Sequence, residues 1–204
     1  CDDSNYNINP ARVEIIGNNV DDNCNGIIDE NYTEIPDANF EQALFDLGID
    51  TTNGDHKVLT SAINSITTLD VSGKAIGNLK GIEGFVSLTN LNCYANLLIN
   101  LDVTGLSNLT NLNCKYNGIE TLNLHGLNNL LYLDFSYNFL TSINLTGVSN
   151  VLSLDCNNNF LSSLNVLEMI KQHYTSLWII WRLKECHYSK LQSNIINWGA
   201  LIFL

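Results

Sequence analysis

The sequence predicts an α/β solenoid in which each turn of 21–22 residues contributes one short parallel strand and an N-terminal helix caps the stack. Three observations carry this expectation: a repeat, an asparagine at a constant place in it, and a capping pattern just ahead of it. Leu88, Leu109, Leu130 and Val151 stand 21 residues apart. In register with them follow Leu91, Leu112, Leu133 and Leu154, then Cys93, Cys114, Phe135 and Cys156. Asn96, Asn117, Asn138 and Asn159 come next, and then Leu98, Ile119, Leu140 and Leu161. An earlier copy, Leu69, Val71, Ile76 and Leu79, is 22 residues ahead with Lys74 in the asparagine's place, so about five turns cover residues 66–166.

Alternation within each strand sends residues such as Leu91 and Cys93 inward. The chain then bends at the asparagine, whose amide can both donate to and accept from backbone groups that the bend leaves unpaired. Lys74 cannot accept, so the first turn is expected to be distorted or exposed. The pattern L-x-x-L-x-(C/F)-x-x-N-x-(L/I)-x-x-(L/I)-x-(L/V) resembles the leucine-rich repeat, in the short form of internalin-like secreted bacterial proteins. That resemblance implies the solenoid fold and an extracellular or cell-surface setting, but it leaves the ligand open.

An open-ended solenoid exposes apolar edges and needs a cap. Residues 35–65 are expected to supply it. Pro36 and Asp37 suit a helix start, Gly48 suits its stop, and Phe40, Ala43, Leu44 and Leu47 share one face. The segment "IPDANFEQAL" also resembles the cap of secreted repeat proteins.

A hydrophobic share of 45% against 15% charged residues predicts a packed core rather than disorder. The net charge of −12 would repel nucleic acid and anionic membrane, and no apolar run is long enough to span a bilayer. The charge is uneven. Residues 1–166 hold 19 acidic and 5 basic residues, while 167–204 hold 2 and 4, together with all three tryptophans. The tail therefore reads either as a C-terminal cap, with an amphipathic helix from Leu167 to Tyr174 extended by Leu177 and Trp181, or as a non-native extension. The first residue is Cys, not Met, and no secretion signal pattern follows, as at a mature end or within a longer chain.

Residues 1–34 form an acidic segment. Asp21, Asn23, Asn25 and Asp29 place oxygens at calcium-loop spacing, Gly26 stands where a sharp turn is needed, and Ile27 would add its carbonyl. The twelfth position is Tyr32 instead of the glutamate of an EF-hand. Residues 1–34 hold no histidine or methionine, which argues against copper. The metal expected is calcium, with a solvated acidic linker as the alternative. "CDDSN", "INP" and "DDNCNGIIDE" resemble the acidic metal-binding motif of secreted bacterial proteins, similar to thrombospondin type 3 calcium repeats. The resemblance implies a Cys1–Cys24 disulfide; a lipid-bearing Cys1 is the alternative.

Cys93, Cys114 and Cys156 read as small core residues, and His125 as a solvated turn residue beside Gly126. No nucleophile, base and orienting acid can be assembled from the repeat, so no enzyme is expected. Outward strand positions form the candidate ligand face: Asn92, Tyr94, Asn113, Lys115, Tyr132, Asp134 and Asp155, with Tyr94 and Tyr132 as its aromatic anchors. A polar, amide-rich face suits a protein or glycan. The competing expectation is a structural spacer, or a fragment of a larger adhesin, with no ligand of its own.

Overall fold

The computed structural model describes residues 7–10, 12–26, 28 and 31–166, and the backbone of 180–182. Strands β3 (Thr68–Asp70), β4 (Asn90–Asn92), β6 (Asn111–Asn113), β8 (Tyr132–Asp134) and β9 (Ser153–Asp155) pair in parallel to make the expected sheet. The register is that of the repeat. Leu69 faces Leu91, Leu91 faces Leu112, Leu112 faces Leu133, and Leu133 faces Leu154. The inward leucines, together with Cys93, Cys114, Phe135 and Cys156, are buried in one continuous core. Two turns also carry a second short strand, β5 (Asn100–Asp102) and β7 (Thr121–Asn123), paired in parallel on another flank. One strand per turn therefore understates the regular structure.

The asparagines close the stack. Asn138 takes the Ile119 amide hydrogen on Oδ1 at 3.0 Å and donates from Nδ2 to the Cys114 and Phe135 carbonyls. Asn117 and Asn159 repeat the arrangement, sharing the Cys114 and Phe135 carbonyls with Asn138. Each amide thus ties its own turn to the one before. Asn96, Asn138 and Asn159 are buried, while Asn117 is only half-buried. The residue after it is Gly118, where Leu97, Phe139 and Phe160 elsewhere put a large side chain. A second ladder runs along the turns: Asn108, Asn129 and Asn150 donate to the Val86, Ser107 and Asn128 carbonyls.

The first turn differs where Lys74 stands. The residue before each ladder asparagine is left-handed, at Ala95, Tyr116, Tyr137 and Asn158, and Gly73 matches them. Ala75, in the place of Leu97, adds a second left-handed residue at φ 56°. The expected distortion is therefore one extra bend. Its exposed carbonyl accepts from Asn39 Nδ2, and Lys74 Nζ reaches Asp46 at 3.1 Å.

The cap begins with β1 (Tyr32–Glu34), antiparallel to β2 (Lys57–Leu59), an unexpected hairpin-like pair enclosing the predicted helix α1 (Ala38–Asp46). Asp37 caps α1, its Oδ1 accepting the Asn39 and Phe40 amides, while Oδ2 accepts those of Gly77 and Asn78 in the first turn. One carboxylate therefore starts the helix and docks it. A short helix α2 (Thr60–Ile63) leads into β3. The buried face of α1 is Phe40, Glu41, Ala43 and Leu44. Leu47, expected on that face, is half exposed, because it terminates the helix where the chain turns away. A carboxylate, Glu41, is buried instead.

At the far end β10 (Ile180–Arg182) adds to the sheet, parallel to β9. Trp181 thus belongs to a strand, and its expected place in an amphipathic helix is corrected. The remaining tail positions lie outside the described residues, as do Cys1, Ile27 and Asp29.

Candidate functional site

The outward strand positions line a shallow trough of about 690 Å³ that runs across the sheet from Thr68 and Asp70 to Ser153 and Asp155. Asn92, Asn113, Lys115, Tyr132, Asp134 and Asp155 all line it. Four of them have a structural duty that spacing alone did not reveal. The Oδ1 atoms of Asn92, Asn113, Asp134 and Asp155 accept the amide hydrogen two residues on, from Tyr94, Lys115, Ser136 and Asn157, and so shape the turn after each strand. Asp70 does the same for Ser72. Hydrogen bonds from Ser72 and Asn92 hold its carboxyl below the usual carboxylate range. After β9, Asn157 keeps a buried Oδ1 with no hydrogen-bond partner among the described residues.

Tyr94, Lys115 and Tyr132 are the predicted face residues whose side chains carry no such turn-shaping bond. They also have company that sequence reasoning missed. Tyr116 and Tyr137, the left-handed residues before the ladder asparagines, extend the aromatic set beyond Tyr94 and Tyr132. Tyr94 meets Tyr116 edge to face at 5.7 Å, and Tyr116 stacks on Tyr137 at 4.2 Å. The Lys115 ammonium lies 5.4 Å and 5.2 Å from the centres of these last two rings. A tyrosine before the ladder asparagine in consecutive turns, Tyr116-Asn117 and Tyr137-Asn138, was the available signal.

The core thiols are chemically quiet. Burial pushes Cys93 up to about 12 and Cys114 well above the usual thiol range, so neither is a nucleophile near neutral pH. Both are free, and no disulfide joins these strand neighbours. His125 is exposed and its amide bonds Asn123, as expected of a turn residue.

In the acidic segment, Asp21 turns its carboxylate inward, Oδ1 accepting from Asn25 N and Oδ2 from Gly26 N at 2.9 Å. Asn23 Oδ1 accepts from Asn25 N as well. Asp21 and Asn23 thus accept backbone amides within one bend, which Asn25 joins through its N–H, and Gly26 is left-handed there at φ 91°. Asp22, not singled out in the sequence, is the buried anchor of this segment. It accepts from Ile15 N and Asn18 Nδ2, while Glu14 accepts from Asp22 N.

A family model named for copper binding and described as a "Putative metal-binding motif" matches residues 1–30. Among solved structures the fold is similar to an internalin, InlF, from Listeria monocytogenes. That match has 27% identity and a TM-score of 0.58, covering 65% of this chain and 40% of that one. It is also similar to the functional domain of InlJ from the same organism, described as including a cysteine ladder. There the identity is 24% and the TM-score 0.54, over 69% of this chain and 37% of that one. The chain thus spans about two fifths of the length of each of these two structures. No curated protein matches the sequence.

Proposed function

We propose that the chain is a non-enzymatic binding module of an extracellular or cell-surface protein, which engages a protein or glycan across its strand face. The observation that carries the reading is the row Tyr94, Tyr116 and Tyr137 with Lys115, which lies over the last two rings and also lines the polar trough that Tyr132 borders. Exposed aromatic rings beside a cation supply the rigid anchors on which recognition concentrates, and the amide-rich floor supplies hydrogen bonds. The similarity to internalins supports a protein ligand in particular. In this reading residues 66–166 bind, residues 35–65 seal the first turn, and residues 1–34 form a stiffened acidic segment.

The segment is read as closed by Cys1–Cys24 and as holding calcium through Asp21, Asn23, Asn25, the Ile27 carbonyl and Asp29. Calcium would cross-link the loop oxygens and stiffen the segment. Two features support this: Cys24, unlike Cys93 and Cys114, is not a free thiol, and residues 1–34 lack the histidine and methionine that copper favours.

The test is a protein and glycan array probed with the chain and with Tyr116→Ala, Lys115→Glu and Tyr132→Ala, with and without calcium. Binding that these substitutions weaken at least about tenfold supports the face as the site. Binding that survives all three moves the site elsewhere. If no ligand is retained, the chain is a spacer.

A further inference from the structure

The loop that joins α1 to β2 gathers three carboxylates outside both sites described above. Glu41, from the first turn of α1, is 1% exposed, and Asp50, just after the helix, is 7% exposed. Asp55, at the end of the loop, is at the surface. One oxygen of each lies within 4.8 Å of the others. Carboxylates buried this deeply are normally paired or fully hydrogen-bonded.

These are paired on one side only. Glu41 Oε1 accepts the amides of Gly54 at 2.9 Å and His56 at 2.6 Å, and Asp50 Oδ1 accepts that of Thr52 at 3.2 Å. The second oxygens, Glu41 Oε2 and Asp50 Oδ2, are buried with no hydrogen-bond partner. The lysines around the cap are engaged elsewhere: Lys57 over the Tyr32 ring, Lys74 on Asp46 and Lys80 on Glu34. His56 Nδ1 lies 3.3 Å from Glu41 Oε2, a contact that balances at most one of three charges, and only when the ring is protonated. Burial pushes the Asp50 carboxyl up despite the Thr52 and Thr51 amides that pull it down, and the charges of Asp55 and Glu41 push it further.

The geometry points to a divalent cation site formed by Glu41, Asp50 and Asp55, taking calcium, which would tie the capping helix to the loop that leads into β2. Calcium accepts several carboxylate oxygens in flexible geometry, and Asp55 gives the site an open side for water. The two buried oxygens without a hydrogen-bond partner, Glu41 Oε2 and Asp50 Oδ2, belong to two of these three clustered carboxylates and are already desolvated. No residue of the acidic N-terminal segment is involved, so the inference is independent of the metal proposed there.

The experiment is calcium titration by calorimetry, with thermal unfolding in parallel at pH 7.5, on the full chain carrying Asp21→Asn to disable the N-terminal loop. This background is expected to bind one calcium. Its Tm is expected to rise by about 5–10 °C at calcium a hundredfold above Kd. Adding Asp50→Asn or the surface change Asp55→Asn should weaken binding at least tenfold and remove most of the rise. Should Asp50→Asn fail to fold, Asp55→Asn alone decides. The inference is overturned if the Asp21→Asn chain shows neither heat nor a Tm rise, or if Asp55→Asn leaves both unchanged. His56→Gln separates the remaining explanation. If a protonated His56 is what balances the cluster, His56→Gln lowers Tm and calcium does not restore it, which also overturns the cation. Loss of binding in Asp50→Asn and Asp55→Asn, with none in Asp21→Asn, would leave this site standing and remove the N-terminal one.

Discussion

The asparagine ladder of the repeats and the carboxylate cluster of the cap both bury polar side chains, but they satisfy them in opposite ways. In the ladder the Asn138 amide meets a backbone donor on one side and two carbonyls on the other, and every 21 residues the same accounting closes. In the cap, Glu41 and Asp50 each satisfy one oxygen and leave the other without a hydrogen bond, with only the His56 ring near that of Glu41. A neutral amide can be completed by the backbone alone, since the backbone supplies donors and acceptors in equal number. A cluster of carboxylates can accept only, so its balance has to come from protons or a cation. Burial of a polar residue is therefore a structural sign in one region and a sign of a ligand in the other.

The ladder half of this comparison breaks most visibly at Asn138. Asn138→Ala strands the Ile119 amide inside the stack and removes the tie between two turns, although Cys114 O and Phe135 O keep Asn117 and Asn159 as donors. The expected loss is about 3 kcal/mol by urea denaturation. A loss under about 1 kcal/mol would mean that backbone stacking, rather than the amides, holds the turns together. Asn117→Ala, at the half-buried rung, should cost less, about 1–2 kcal/mol, because water reaches what is exposed. Equal losses at the two positions would contradict the role given to burial.

The cap half is sharpened by pH. Asp50 is raised in the folded chain, so the folded state holds a proton that the unfolded state has released. That contribution is full below the ordinary carboxylate value of 3.8 and is lost as pH rises through the higher folded value. Without added calcium, stability should therefore decline as pH rises through that window, and Asp50→Asn should flatten the decline. An unchanged profile in the variant would assign the decline to other groups. The smallest effect is expected at the exposed pair Lys80–Glu34, where Lys80→Ala should change stability by no more than about 0.5 kcal/mol and less still in high salt.

The candidate sites were legible to different depths. The outward positions Asn92, Asn113, Lys115, Tyr132, Asp134 and Asp155 were readable because alternation sets them, and they line the trough, whereas Tyr94, placed with them by the same alternation, does not. Their division of labour was not, since only coordinates reveal that Asn92, Asn113, Asp134 and Asp155 shape their own turns while Lys115 meets a tyrosine stack. Tyr116 and Tyr137 stand at left-handed turn positions, and only the coordinates show them stacked on each other beside Tyr94 and Lys115. Asp21 and Gly26 were readable from loop spacing. Asp22 was not, because its partners Ile15 and Asn18 belong to no motif.

By itself the sequence determined the solenoid, its register, the inward cysteines, the asparagine ladder and the position of the capping helix. All of these follow from a period of 21–22 residues or from rules spanning a single helix, so each can be checked against copies or neighbours along the chain. Tertiary structure alone decided that Glu41, which reads as an ordinary first-turn acid of α1, is buried against Asp50 and Asp55. The pairing of β1 with β2 folds the intervening loop back over the helix, bringing together three carboxylates that no spacing rule connects. Nothing in the repeat constrains that encounter, because the cap occurs once and has no second copy to read it from.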